Sequence, residues 1–77
     1  MQVNILFFGQ IVDMTGVDKI VVSDVTDTTK LIDQLTQQYP ALLSAKYSIA
    51  VDKKIINENT LLHDAATVAL MPPFSGG

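Results

Sequence analysis

Side chains able to do acid–base, nucleophilic or metal chemistry are sparse in this 77-residue sequence. It has a single histidine, His63, and no cysteine. These facts exclude a two-histidine metal site, thiolate ligation and a cysteine nucleophile. Gly9 and Gly16 belong to no G-x-G-x-x-G or Walker pattern, and turns are their ordinary explanation. We therefore predict no catalytic residue, no metal ligand and no permanently bound cofactor, in a chain that is not an enzyme by itself.

The charged residues point to solubility and helix capping more than to a site. Eight acidic residues are scattered over loops and helix ends, and His63 beside Asp64 has the same interpretation as a solvated or capping loop residue. The five basic residues are all lysines, and the formal net charge is −3. Nucleic acid is excluded as a partner because its phosphates are bound through basic patches. No apolar run approaches the roughly 20 residues that span a bilayer, so we expect no membrane partner and a cytoplasmic protein.

The most informative residues are the last six, Pro72-Pro73-Phe74-Ser75-Gly76-Gly77. The prolines favour an extended backbone and lack N–H donors, which keeps the segment out of a sheet. Phe74 can anchor the segment in an apolar pocket of a partner. Gly76 and Gly77 have no Cβ, so they fit a narrow channel beside a reacting centre. We predict that residues 72–77 form an extended, flexible tail of about 20 Å that carries the Gly77 carboxylate into a partner's active site.

The strands that would position this tail follow from the hydrophobic periodicity. Alternating and β-branched runs predict strands at residues 1–8, 19–23, 47–52 and 67–71, with a short companion at 54–56. The residues between Gly9 and Gly16 are interpreted as a long hairpin connection. Residues 61–64 are interpreted as a tight helical turn or loop.

One main helix is predicted between the second and third strands. Its apolar residues recur at helical spacing: Leu31, Ile32, Leu35 and Tyr39. Asp27 or Thr28 can cap its start, and Pro40 ends it. The predicted order of elements is two strands, a helix and then further strands. This order indicates an α+β domain over residues 1–71, in which one helix lies across a mixed sheet.

Two predicted strands are apolar on both faces, and one helix can cover only one face. Leu6 and Phe8 alternate with the core residues of the first strand, and Met71 ends the last strand. We predict that Phe8, Leu6 and Met71 form an apolar partner interface. The alternative is that loops and the Leu61-Leu62 turn cover this second face.

These residues together resemble the MoaD family, the small sulfur-carrying subunits of molybdopterin synthase. The resemblance covers nearly the whole chain, with four matching segments: Ile5-Leu6-Phe7-Phe8-Gly9, Asp27-Thr28 before the helix, Ile49-Ala50-Val51-Asp52, and Val68 to Gly77. A Gly-Gly end alone is shared by all ubiquitin-like carriers. The apolar strand followed by Pro-Pro, an apolar residue and a small residue makes the motif specific.

The resemblance implies a ubiquitin-like β-grasp fold and a mechanism. An E1-like enzyme would use ATP to adenylate the Gly77 carboxylate, and a donor of desulfurase or rhodanese type would convert the transient acyl-adenylate to a thiocarboxylate. The tail would then enter the large catalytic subunit. There it would pass sulfur to cyclic pyranopterin monophosphate, which forms the dithiolene of molybdopterin. The resemblance also implies that the two kinds of subunit form a heterotetramer.

Two departures from the family pattern lie outside the tail. Asp52 stands where asparagine is common, so we expect a buried hydrogen bond to change from amide to carboxylate. Asp64-Ala65-Ala66-Thr67 replaces a glycine-containing turn, and we expect helical geometry there.

Three other functions stay open. The chain could be a sulfur carrier for thiamine-type synthesis, a modifier joined to lysines through isopeptide bonds, or an interaction module with an inert tail. The thiamine carriers usually lack the Pro-Pro-apolar-Ser approach to Gly-Gly.

Overall fold

The computed structural model describes residues 1–73, which form five strands, two α-helices and a 3₁₀ turn. In chain order these are β1 (Gln2–Phe7), α1 (Gln10–Thr15), β2 (Lys19–Ser23), α2 (Thr28–Gln38), the 3₁₀ turn (Pro40–Ser44), β3 (Ser48–Val51), β4 (Lys54–Ile56) and β5 (Thr67–Met71). The five predicted strands and the main helix are confirmed, with ends that move by one residue at most.

The strands form one mixed sheet in the order β2-β1-β5-β3-β4. The central strand, β5, is parallel to its neighbour β1, and every other neighbouring pair is antiparallel. Because β5 is the last strand in the chain and lies between β1 and β3, the residues after Met71 leave from the middle of the sheet. This arrangement is the predicted β-grasp fold.

The core lies between one face of the sheet and the helical layer. Alternate residues of the central strands are fully buried on this face, among them Val3, Ile5, Phe7, Val68 and Leu70. From the other layer α2 contributes Leu31 and Leu35, α1 contributes Ile11, and the 3₁₀ turn contributes Leu42. Burial of about ten aliphatic side chains, each worth roughly 1.5–3 kcal/mol, is what a chain of this size needs to stay folded.

Helix α2 starts and ends where the sequence predicts. The Asp27 carboxylate accepts a hydrogen bond from the Lys30 N–H at 2.9 Å, so Asp27 is the N-cap and Thr28 is the first helical residue. Tyr39 N–H donates to the Leu35 carbonyl oxygen at the other end, and Pro40 begins the 3₁₀ turn instead of continuing the helix.

The connection from Gly9 to Gly16 joins the antiparallel strands β1 and β2, so the predicted long hairpin connection is confirmed. It contains a helix that the sequence interpretation missed, α1, from which Ile11, Val12 and Met14 pack toward the core. Two sequence predictions are wrong at the level of local structure. The segment Asp64–Thr67 is not helical: Ala65 takes a left-handed φ of 65°, so alanine keeps the turn that glycine would favour. The Asp52 hydrogen bond does involve a carboxylate, but it is exposed, not buried.

Candidate functional site

The base of the tail is held by the sheet on both sides. On one side β5 runs parallel to β1, with Phe7 beside Leu70. On the other side it runs antiparallel to β3, with Met71 beside Ser48. Pro72 and Pro73 follow, and with Ile11, Met14 and Lys46 they line a cavity of about 350 Å³. The tail therefore starts from a fixed point between α1 and the segment that precedes β3.

The second face of the sheet, opposite the helices, carries an apolar surface. The strand registers place Leu6, Ala69 and Ala50 in a row across β1, β5 and β3. Around this row lie more exposed apolar side chains: Phe8 at 45% exposure, Val21 at 58% and Ile55 at 50%. We call this set, completed by the half-buried Met71, the open-face patch.

The structure brings together the three interface residues predicted from sequence. Leu6, Phe8 and Met71 share the open face and lie at the end of the sheet from which the tail leaves. Among the described residues, the Leu61-Leu62 turn, which was the alternative cover for this face, does not reach it. Leu62 is buried in the helix-side core, and Leu61 is 80% exposed. Their role in binding a partner stays a prediction. Phe74, Ser75, Gly76 and Gly77 lie outside the described residues.

A second cluster, Asp52 with His63, lies at the far end of β5. Asp52 follows β3, and its Oδ1 accepts a hydrogen bond from the Thr67 N–H at 3.0 Å. Its Oδ2 lies 2.6 Å from Nε2 of His63, while Nδ1 of that ring lies 2.8 Å from the Asp64 carbonyl oxygen. The carbonyl can only accept, so Nδ1 carries a proton, and a bare Nε2 would then face a carboxylate. The imidazolium form removes that repulsion.

The pKa values of both groups move in the direction that this geometry requires. The Thr67 N–H, and then the His63 ring, lower the pKa of Asp52 by hydrogen bonding to its carboxylate. The Asp52 carboxylate raises the pKa of His63, helped by the Asp64 carbonyl oxygen. Both side chains are well exposed, so this pair ties the β3–β4 turn to the β4–β5 connection as a surface contact.

The described residues offer little chemistry of their own. Residues 1–73 hold no group of three histidine or acidic side chains that could bind a metal ion. No helix in the same range is long and apolar enough to cross a membrane. What the arrangement provides is a strand, β5, paired on both sides up to the start of Pro72, and an apolar face beside it.

Sequence reasoning missed several residues of this arrangement. Val21 and Ile55 belong to the open-face patch, and the period-2 alternation together with the strand pairing would have placed them there. Asn59, interpreted as part of a polar turn, contacts the start of α2. The Asp52–His63 pair joins residues 11 positions apart through a turn that no local pattern specifies.

Comparison with known proteins places the whole chain in one group. The ThiS family model matches residues 5–77. The molybdopterin synthase sulfur carrier subunit of Mycobacterium tuberculosis is 36% identical over 81 aligned residues, which cover 99% of this chain and 98% of that protein.

Solved structures agree with the fold. A chain of the complex of subunits 1 and 2 of the molybdopterin-converting factor from Helicobacter pylori is similar with a TM-score of 0.74 and 26% identity, over the full length of both chains. The small archaeal modifier protein 1 of Methanosarcina acetivorans matches with a TM-score of 0.83 and 22% identity, covering 99% of this chain and 96% of that one. The second likeness supports the β-grasp fold alone.

Proposed function

The chain belongs to the ThiS family, and from that premise we propose that it is the sulfur-carrier subunit of a molybdopterin synthase, with Gly77 as the carrier residue. The observation that carries the proposal is the 36% identity to a molybdopterin synthase sulfur carrier subunit over almost the full length of both chains. The sequence Pro-Pro-Phe-Ser-Gly-Gly, which follows the central strand of the sheet, supports the same function.

The chemistry begins with a carboxylate that is a poor electrophile. An E1-like partner joins the Gly77 carboxylate to the α-phosphate of ATP, which releases pyrophosphate and leaves an acyl-adenylate. The terminal sulfur of a donor persulfide attacks the acyl carbon, AMP leaves, and a thiol cleaves the resulting disulfide to give the thiocarboxylate. Together these covalent intermediates divide one difficult substitution at the carboxylate into a series of easier steps. Acid–base groups are supplied by the partners, so the chain by itself is not an enzyme.

The large subunit would receive both the tail and the open-face patch. Phe8, Leu6 and Met71 lie at the end of the sheet where Pro72 begins, so one docking event can bury the patch and direct Phe74 to Gly77 into the partner's active site. The carrier then delivers sulfur to cyclic pyranopterin monophosphate. Two sulfurs are installed, so two carriers act in turn or one is recharged.

The test is the intact mass of the untagged chain, purified from cells that also supply an E1-like enzyme and a sulfur donor. We expect a mass gain equal to the exchange of one oxygen for sulfur, mapped to Gly77. A variant that lacks Gly77 should show no gain and should melt at an unchanged temperature, since the core is built from residues of the described domain that precede the tail. An unmodified wild-type chain, beside a known carrier that is modified, would overturn the proposal.

Genetic rescue and immunoblots distinguish the proposed function from two of the alternatives, a thiamine-type sulfur carrier and a protein modifier. We expect the gene to rescue a molybdenum-cofactor auxotroph and not a thiamine auxotroph. The reverse pattern would assign the chain to the thiamine type. A ladder of lysine conjugates on immunoblots would identify a protein modifier instead.

A further inference from the structure

Gly9 and Pro72 meet where the sheet ends and the tail begins. β1 and β5 are paired from Asn4 beside Thr67 to Phe7 beside Leu70. The Phe8 N–H extends this pairing by donating to the Leu70 carbonyl oxygen at 3.0 Å. The same register, continued by two residues beyond Phe7, places Gly9 beside Pro72. At this point the first chain turns away into α1 and the second leaves the sheet.

The contact between the two residues leaves no room for a side chain on Gly9. A Cβ built there would lie 2.7 Å from Cγ and 3.3 Å from Cδ of Pro72. Non-bonded carbon atoms prefer about 3.5–4.0 Å. The pyrrolidine ring is closed onto the backbone, so it cannot swing aside as a flexible side chain would. A methyl group on Gly9 would therefore have to displace the backbone at Pro72.

We infer that Gly9 is a positioning residue of the carrier: its bare backbone seats the Pro72 ring and so sets the direction in which the tail leaves the sheet. The inference rests on the proposed function, because it concerns how Gly77 reaches a partner's active site. A misplacement of about 1 Å at a reacting group can cost on the order of 100-fold in rate. Only four residues separate Pro72 from Gly77, so a shift at Pro72 changes the point from which this short segment must reach the reacting centre.

A second glycine supplies a control for backbone strain. Gly16 ends α1 with φ of 78°, and a Cβ built there would meet nothing within 4 Å. Gly9 has φ of 57° and ψ of −134°, which is harder for an alanine than the ψ of 2° at Gly16. Strain and the ring contact are therefore best separated by changing Pro72. Pro72→Ala removes Cγ and Cδ of the ring and leaves the backbone angles required of residue 9 as they are.

The experiment uses wild type, Gly9→Ala, Gly16→Ala, Pro72→Ala and the double variant Gly9→Ala/Pro72→Ala. NMR spectra of each free protein report the environment of residues 71–77, and thermal unfolding reports the fold. Each thiocarboxylated protein is then given to the large subunit in single-turnover sulfur transfer, at several carrier concentrations. This series separates the affinity of the carrier from the rate constant at saturation.

We expect Gly9→Ala to shift the resonances of residues 71–77 and to lower the saturating rate constant by about 10-fold or more, with little change in affinity. Gly16→Ala should leave both unchanged. In the Pro72→Ala background the Gly9 substitution should change the rate by less than about 2-fold, since the clash is gone.

Two results would overturn the inference. One is a Gly9→Ala protein whose tail resonances and rate match those of Gly16→Ala. The other is a loss of rate that is equally large with and without the Pro72 ring, which would assign it to backbone strain. A wild-type chain that accepts no sulfur would instead overturn the proposed function, and the NMR comparison would still decide whether Gly9 positions Pro72.

Discussion

At the scale of single residues, Asp52 and His63 form an exposed pair whose contribution to stability depends on pH. The raised pKa of His63 stabilises the fold below the ordinary histidine value of 6.5, and this contribution is lost as the pH rises through the raised pKa. The lowered pKa of Asp52 stabilises the fold above the ordinary value of 3.8, and this is lost as the pH falls through the lowered pKa. Both contributions are therefore complete between these two ordinary values.

The substitution Asp52→Asn tests this coupling without disturbing the turn. Asparagine tolerates the left-handed φ of 48° at this position, and its amide oxygen can still accept the Thr67 N–H. We expect the pKa of His63 to fall toward 6.5 in the variant, because the carboxylate that favours the imidazolium is gone. The protein has one histidine, so an NMR titration reads a single imidazole. An equal pKa in both proteins would refute the pairing.

Phe74 is the residue from which we expect anchoring of the tail in the large subunit. Phe74→Ala should weaken binding to that subunit by about 1–3 kcal/mol, as loss of a buried aromatic anchor does at an interface. Isothermal titration calorimetry would measure the change. Leu43→Ala is the matched control, because Leu43 is 74% exposed on the 3₁₀ turn, in the helical layer. Equal affinities for the Phe74 variant and wild type would remove it from the anchor role.

At the scale of elements, the start of α2 is held by the β4–β5 connection, which is distant from it in sequence. The Asn59 Oδ1 accepts hydrogen bonds from the Thr29 N–H at 2.9 Å and from the buried Thr28 hydroxyl at 3.2 Å. The Thr60 N–H in turn donates to the Thr28 hydroxyl oxygen at 2.9 Å. The helix thus has a second cap beside Asp27, supplied by the β4–β5 connection.

Loss of this second cap should destabilise the whole domain. We expect Asn59→Ala to lower the free energy of unfolding by about 1–2 kcal/mol, because the Thr29 N–H and the Thr28 hydroxyl proton both lose their acceptor. For a domain of this size, each kcal/mol of lost stability lowers Tm by roughly 4–8 °C. Asn57→Ala, at an exposed position two residues earlier, is the control. Equal melting temperatures for the two variants would show that Asn59 does not cap the helix.

The features that could be predicted from the sequence are those specified within one helix or strand. Contacts that form only when distant segments come together could not be predicted. Asp27, Leu31, Leu35 and Pro40 define α2 because a cap, a 3.6-residue period and a breaker are local signals. Strand limits followed from alternation in the same way. Two contacts form only after the strands have paired: that of Asn59 with Thr28 and that of Gly9 with Pro72. No spacing in the sequence indicates either contact. The six residues of α1 were too few to show a helical period.

At the scale of the whole molecule, the two faces of the sheet differ in what covers them. The helices cover one face of the sheet and bury the core, and the open-face patch lies on the other face. The parallel pairing of β1 with β5 brings Phe8 and Met71 to the end of the sheet where Pro72 begins. Patch and tail are therefore adjacent, which allows one partner to bind both.

This adjacency predicts which exposed apolar side chain matters for assembly. Phe8→Ala should weaken binding to the large subunit by about 1–3 kcal/mol, because Phe8 lies on the patch beside the tail. Leu61→Ala should leave the affinity unchanged, although Leu61 is 80% exposed against 45% for Phe8, since it lies beside Asp27 at the start of α2. Calorimetric titration of each variant, with its melting temperature as the check on folding, measures both. If Leu61→Ala costs more affinity than Phe8→Ala, the helical layer is the docking side and the open face is not.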